Sequence, residues 1–456
     1  MKLNNLKNKT IHIIGLSGTE GSSLALFFIS QRFNDLVGHD FSTKRNFTDN
    51  YYYYHQNQPK EQTADQLKKI KKAIKINYQD NYLKNIQAAD YIFLPSSWFR
   101  YKENSTLITK PNLFNWYNLA LNLYPGTIIG VSGTAGKGTT THLIYNILKA
   151  AGKKVYLAGD AWEMFDFQKY FKAGNKSFLV LELSNRTLTF AKQSKKCPAI
   201  SVITNVTKHH LDDHDNSFIK YVKVKKEIGN YQKPGDYLLY CDDDQYAKKF
   251  AKVGKGRHLP FSYAKPEIKL IKNNALIGKH LVTDAVAAVK VGKILNITEK
   301  AINKGLNDFK PRSGRMQLVK KINGVLFIND GSSTRPQATI AAIKSFPQGK
   351  VNLILEGCRT KPDLSFYHEL LSAIDDYRVK NISVSGKITD FILPQLKKTS
   401  AKIFTADKLG DSVKLLFKSS KPGDVILLSP ANESFGEFKD YRERVESFNT
   451  AVKNLK

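Results

Sequence analysis

Gly130-Val131-Ser132-Gly133-Thr134-Ala135-Gly136-Lys137-Gly138-Thr139-Thr140-Thr141 joins a glycine-rich turn to a single lysine, with an apolar run on each side. Glycines let backbone amides converge on an anion, a helix start adds partial positive charge, and a lysine after the turn reaches the terminal phosphates of a nucleotide. That chemistry needs a buried strand before the turn and a helix after it. Thr127 to Val131 reads as the strand, and His142 to Ala151 has apolar residues at helical spacing before Gly152. The expected ATP contacts are Gly133, Thr134, Gly136, Lys137, Gly138, Thr139 and Thr140. In the usual pattern a hydroxyl residue directly follows the lysine and binds Mg²⁺; here Gly138 stands there and the hydroxyls begin at Thr139. The plain alternative is an ordinary glycine-rich turn.

Further along, Phe178-Leu179-Val180-Leu181-Glu182-Leu183-Ser184 puts one acid near the end of an apolar strand. A buried carboxylate needs a compensating cation, which is Mg²⁺ on nucleotide phosphates or a neighbouring lysine. Thr204 to Val206 then leads into Thr207-Lys208-His209-His210-Leu211-Asp212-Asp213-His214, a cluster that suggests a metal site without naming the metal. Tyr221 to Ile228 brings lysines close to these groups; its bland reading is a basic helix.

Three α/β blocks position these residues. The first opens with Ile11-His12-Ile13-Ile14-Gly15, the turn Leu16 to Gly21 and an apolar helix from Ser22 to Ser30, a Rossmann-like start with irregular glycine spacing. Its later strand, Tyr91 to Pro95, runs into Ser96-Ser97. In the second block, near-continuous apolar runs at Val155 to Gly159, Phe178 to Leu183 and Ala199 to Val206 suit a parallel sheet covered on both faces. The third, after Pro311, repeats the alternation at 324–330, 351–357, 381–386, 402–405 and 424–430. The expectation is an α/β chain of three domains: residues 1–125 Rossmann-like, 126–311 a parallel-sheet domain like those of P-loop ATPases, and 312–456 Rossmann-like. The run Tyr51-Tyr52-Tyr53-Tyr54 has no reading from sequence.

With 456 residues and 41% hydrophobic content, the chain can build several cores. Lys and Arg number 71 against 40 acids, a net charge of +31. Such charge fits nucleic acid, an anionic membrane or polyanionic small molecules. Many lysines fall in stretches such as Gln66 to Lys75, whose apolar spacing gives a helix with a solvated basic face, and no nucleic-acid-binding signature accompanies them. Three dispersed cysteines, Cys197, Cys241 and Cys358, support neither disulfides nor a zinc site. Met1 to Thr10 is polar, and Ile11 to Leu16 is too short to span a membrane, so the expected location is the cytoplasm.

Taken in order, these segments resemble the Mur ligase superfamily over nearly the whole chain. The match lies in the phosphate loop, Leu181-Glu182-Leu183-Ser184, Asn205-Val206-Thr207 with His210 and Asp212, and Tyr221 followed by Lys225. The resemblance implies ATP-dependent joining of an amino acid to a carboxylate through an acyl phosphate. It implies Mg²⁺ held by Glu182 and His210, with Thr139 as the available hydroxyl, and Lys225 carbamylated at a second metal. Lys137, His210 and Lys225 would then be the catalytic residues. Gly314-Arg315-Met316 and Phe327-Ile328-Asn329-Asp330 resemble the opening of the family's C-terminal domain, which places Arg315 and Asp330 at ATP. Leu428 to Arg444 is similar to the signature of the D-glutamate-adding branch. By that match Ser434 and Tyr441 meet D-glutamate, while Ser17, Thr19 and Asp160 meet the nucleotide sugar UDP-N-acetylmuramoyl-L-alanine. A monomer with no nucleic-acid or membrane partner is implied.

Some positions depart from the family pattern. Gly138 replaces the hydroxyl residue, as it does in folylpolyglutamate synthetases, the rival within the enzyme class. Asp160 stands where the branch commonly has asparagine, Leu281 and Asp284 replace two asparagines in Gly278-Lys279-His280-Leu281-Val282-Thr283-Asp284, and Ser332 and Thr360 occupy the places of frequent lysines. These changes also fit a noncatalytic nucleotide-binding protein on the same fold.

Overall fold

The computed structural model describes residues 3–159, 166–208, 211–264, 278–359 and 363–455. Three sheets follow one another along the chain. The first, in the order β3-β2-β1-β4-β5, is parallel throughout: β1 Ile11–Ile14, β2 Leu36–His39, β3 Lys75–Asn77, β4 Tyr91–Phe93 and β5 Leu113–Phe114. The second, also parallel, runs β11-β10-β9-β6-β8-β7, with β6 Thr127–Ser132, β7 Val155–Ala158, β8 Phe178–Glu182, β9 Ile200–Ile203, β10 Tyr237–Cys241 and β11 Arg257–Phe261. The third runs β12-β13-β17-β14-β15-β16: β12 Gln317–Ile322, β13 Val325–Asn329, β14 Val351–Glu356, β15 Asn381–Ser385, β16 Lys402–Thr405 and β17 Val425–Ala431. Only β12 is antiparallel to its neighbour. The first two sheets lie in one compact unit, residues 1–270 and 284–306, and the third in another, residues 271–283 and 307–456.

Burial explains which strands the sequence reveals. Every residue of β9, β14, β15 and β17 is buried, as expected of strands covered by helices on both faces, so each reads as a mostly apolar or small-residue run, interrupted by Asn352 and Glu356 in β14 and Asn381 in β15. β12 sits at an edge with no residue buried, and its Gln317-Leu318-Val319-Lys320-Lys321-Ile322 carries no such run. The tyrosine run lies in the helix Phe47–Tyr54, where Tyr51 is buried and Tyr53 and Tyr54 face solvent.

Two packing features hold the domains in shape. In the first unit Asn115 caps the helix Trp116–Leu123 with a reciprocal capping box, and Asn118 also donates to the carbonyl of Phe190, tying the first block to the second. In the second unit Arg444, fully buried, donates to the carbonyls of Gly331 and Asn432 and to Glu356 at 2.9 Å, joining the ends of three strands. Burial pushes the Glu356 carboxyl up to about 7 against the pull of that arginine.

The first sheet also buries a pair of histidines. His12 Nδ1 and His39 Nε2 stand 2.8 Å apart, and His39 Nδ1 meets no partner among the described residues. Burial lowers His12, and burial followed by the neighbouring His12 lowers His39 to about 3. Both rings stay neutral in the fold, whereas in the unfolded chain they gain protons near pH 6.5. The unfolded state therefore binds more protons below that pH, so the stability they allow is present above about 6.5 and is lost as pH falls toward 3. Tm is expected to drop across this range, and to drop less steeply in His39→Leu. Calorimetry over a pH series checks this; equal slopes would remove the pair from the acid response.

Candidate active site

β6 ends at Ser132 and the chain turns into the helix Lys137–Ala150 through Gly133-Thr134-Ala135-Gly136. Gly136 has φ +82°, where a side chain is strained, and a Cβ there would overlap the Asp284 carboxyl; a Cβ on Gly133 would overlap Thr204 Oγ1. The loop is pinned from β9's end: Thr134 N donates to the Asn205 carbonyl and Ala135 N to Asn205 Oδ1, both at 2.9 Å, while Thr204 Oγ1 donates to the Ala135 carbonyl. Lys137 curls back, its Nζ donating to the carbonyls of Gly133 and Thr134 at 3.1 Å. The result is an anion cradle with its lysine already over the loop. Thr139 is partly exposed, but Thr140 is fully buried and turned toward Asp284, away from solvent.

Lys225 projects from the helix Phe218–Lys226 into the base of this cradle. It is 1% exposed, donates to the Gly133 carbonyl at 2.9 Å and to Ser132 Oγ at 3.4 Å, and packs over the Tyr221 ring. No acid pairs with it among the described residues. Burial, and then the nearby Lys137, push its ammonium well below the usual lysine range. Tyr221, one turn earlier on the same face, hydrogen-bonds Thr134 Oγ1 at 2.9 Å.

Glu182 closes β8 directly beside Val131 of β6, and Leu183 N donates to the Val131 carbonyl. Its carboxylate is partly exposed and forms no ion pair with any described residue. A carboxylate left open at the carboxyl edge of the sheet, next to a phosphate cradle, is a donor set that suits Mg²⁺. The structure thus brings Gly133, Thr134, Gly136, Lys137, Glu182 and Lys225 together. His210 and Asp160 lie outside the described residues, as do Thr360 and Lys361.

At the start of the first sheet, Ser17 N donates to Asp40 Oδ2 at 2.7 Å, and Thr19 begins the helix Thr19–Ser30. Glu20 accepts from Ser96 N and Oγ, and burial pushes its carboxyl up to about 8. In the second unit Asp330 is buried, accepts from Met316 N, Ser333 Oγ and Ser429 Oγ, and is pushed up to about 6 by burial. Arg315 is exposed and acts electrostatically on both Asp330 and Tyr441, so those three share one end of the third sheet. Ser434 is buried two residues after the Asn432 that Arg444 holds.

Sequence reasoning did not single out Asp40, Glu20, Asp284 as a neighbour of the loop, or Arg186. Arg186, four residues after Glu182, pairs with Asp213 at 2.7 Å. An arginine just beyond a strand-end acid, followed by an acidic turn, was the available signal.

Residues 131–275 match the Mur ligase middle domain. A UDP-N-acetylmuramoylalanine–D-glutamate ligase of Streptococcus agalactiae is 31% identical over 355 residues, covering 74% of this chain and 76% of its own. The chain belongs to the Mur ligase family. It is accordingly an ATP-dependent ligase. Among solved structures, a pseudomurein peptide ligase type C from Methanothermus fervidus aligns over 98% of this chain and 100% of its own, with a TM-score of 0.57 and 19% identity. A MurF ligase from Thermotoga maritima in complex with ADP aligns over 91% and 95%, with a TM-score of 0.57 and 18% identity. Both likenesses concern the Mur ligase fold, the three-sheet α/β arrangement expected from the sequence. No helix among the described residues is long and apolar enough to cross a membrane.

Proposed function

We propose that this Mur ligase adds D-glutamate to UDP-N-acetylmuramoyl-L-alanine. The observation that carries the catalytic reading is the convergence of two lysines and one open carboxylate on the phosphate loop at one sheet edge. The substrate reading rests on the 31% identical relative and on the Leu428 to Arg444 segment. Residues 1–125 would hold the nucleotide sugar through Ser17, Thr19 and the turn they form, 126–311 would hold ATP, and 312–456 would bring the amino acid through Ser434 and Tyr441, with Arg315 and Asp330 toward ATP.

The reaction joins two anions before it joins an amine. A carboxylate oxygen of the nucleotide sugar attacks the γ-phosphorus, the bond to the bridging oxygen breaks, and ADP leaves. The amine nitrogen then attacks the acyl carbon, phosphate leaves and the ammonium proton is lost. Loop amides and Lys137 Nζ would stabilise charge spreading over the transferred phosphoryl oxygens, the lysine giving up its loop carbonyls to do so. Mg²⁺, when bound by Glu182 and His210, supplies charge neutralisation between the meeting oxygens. Lys225, whose ammonium is weakened by burial and then by the nearby Lys137, gives up its proton more readily than an ordinary lysine: the freed amine nitrogen would bond the carbon of CO₂, lose a proton and become a carbamate anion facing the loop. A cytoplasmic monomer is part of this reading.

Phosphate release with ATP, Mg²⁺ and UDP-N-acetylmuramoyl-L-alanine tests it, with D-glutamate, L-glutamate or other amino acids added in parallel. Release that requires both the nucleotide sugar and D-glutamate is expected. Release with another amino acid would overturn the substrate, and ATP binding without release under any combination would favour a noncatalytic role.

A further inference from the structure

Two short segments adjoin, in sequence, the residues expected to hold the metal. The helix Asn185–Leu188 starts three residues after Glu182, and the 3₁₀ turn Leu211–His214 starts directly after His210. Arg186 Nε donates to Asp213 Oδ2 at 2.7 Å, with the Asp213 side chain 1% exposed and Arg186 21%. Alongside, Asn185 Nδ2 stands 3.0 Å from His214 Nε2. His214 is edge-on to Tyr221, whose hydroxyl meets Thr134 of the loop. On the near side of His210, Thr207 N donates to Thr134 Oγ1 at 2.9 Å.

The helix Asn185–Leu188 is itself fixed. Ser184 caps it by accepting from Thr187 N, and the buried Asn115 donates to the Thr187 carbonyl. It is therefore an anchored edge of the second sheet, in line with Glu182. A surface ion pair between two flexible side chains positions nothing and contributes little. This pair differs, because Asp213 is buried and one of its oxygens, Oδ1, has no partner among the described residues. A buried charge with one cationic partner has strongly restricted geometry, since a shift that separates them leaves the carboxylate only the long contact from Asn185 Nδ2 at 3.5 Å.

We propose that Arg186 and Asp213 are positioning residues for the metal site: the pair locks the chain on the far side of His210 against the strand end that presents Glu182. Asn185 and His214 form the second strut of the same brace. This rests on the assignment of the metal to Glu182 and His210. Neither residue is assigned as a ligand; the pair sets the separation between the strand end that carries Glu182 and the turn that follows His210 in sequence.

The test is Mn²⁺ binding followed by electron paramagnetic resonance, with a non-hydrolysable ATP analogue at saturation. Glu182→Gln serves as the control. It should abolish nucleotide-dependent Mn²⁺ binding; if it does not, the metal assignment fails independently of the brace. With that control in place, Arg186→Asp and Asp213→Arg should each weaken Mn²⁺ about tenfold or more, while metal-free binding of the analogue changes less than about threefold. The double exchange Arg186→Asp/Asp213→Arg should recover most of the loss. Arg186→Lys keeps the charge without the fork and guards against misfolding of the reversals; it should fold and show a smaller loss in the same direction. Unchanged Mn²⁺ affinity in Arg186→Lys and in every folded reversal would overturn the proposal. So would an equal fall in metal and metal-free nucleotide binding, which is the mark of a general structural role.

Discussion

Lys137→Ala is expected to lower kcat/KM for ATP by about 10²–10³-fold, the cost of removing one preorganised donor from developing phosphoryl charge. The position of its ammonium accounts for the size of the effect. Nζ stands over the loop at 3.1 Å from two of its carbonyls, so the lysine is stored at the site and needs only a short swing to reach phosphate. Lys137→Arg is not expected to restore activity. A guanidinium is planar and rigid, and it cannot present a compact ammonium above carbonyls of Gly133 and Thr134. The loss should appear mainly in kcat, because the backbone cradle of Gly133 to Gly136 continues to bind the diphosphate part of the nucleotide. Steady-state phosphate release over a range of ATP concentrations separates the two parameters. A fall confined to KM would mean that Lys137 only binds ground-state nucleotide.

The cradle was legible in the sequence because its parts are contiguous: strand, glycines, lysine and helix follow one another within about two dozen residues. Glu182 was legible for a related reason, as one acid in an apolar strand stands out against its neighbours. Lys225 was legible by resemblance only, since Lys223, Lys225 and Lys226 look alike in the sequence and only the helix face that carries Tyr221 distinguishes the buried one. Asp284 illustrates what sequence could not supply. Its segment was read for departures from a motif, whereas in the fold its carboxyl packs against Gly136 and lies near the buried Thr140, whose hydroxyl meets no hydrogen-bond partner among the described residues. Burial drives that carboxyl well above the ordinary range, with Thr140 and Lys137 opposing. Such contacts come from the packing of a distant helix onto the loop, and no local spacing encodes them. Two edge strands, β12 and β5, failed for a different reason: β12 is exposed and β5 is two residues long, so neither has a burial pattern to read, whereas the edge strands β7 and β16 were legible.

Lys225 separates function from stability, which makes its substitution the sharpest single experiment on the site. Lys225→Ala is expected to cut turnover by about 10²-fold or more, through loss of an anionic group that would hold a second metal ion. Activity of the unmodified protein should rise with bicarbonate, and that of Lys225→Ala should not respond. Lys225→Arg should not rescue turnover, because a guanidinium forms no carbamate and stays charged. The effect on stability has the opposite sign. An ammonium lowered by burial binds its proton less readily in the fold than in the unfolded chain, so at neutral pH the unfolded state holds more protons and folding is opposed. That penalty persists below the ordinary lysine range near pH 10 and diminishes as pH rises toward it. In bicarbonate-free buffer, Lys225→Met should therefore raise stability, because the unfavourable proton balance leaves with the amine. Denaturation in guanidinium, run beside the activity assay, reads both effects on one sample. A Lys225→Met protein that is inactive and more stable marks the lysine as kept for chemistry at the expense of the fold. One that is inactive and less stable would assign it instead to holding the Gly133 carbonyl, and the loss of activity would then be a consequence of a disordered cradle.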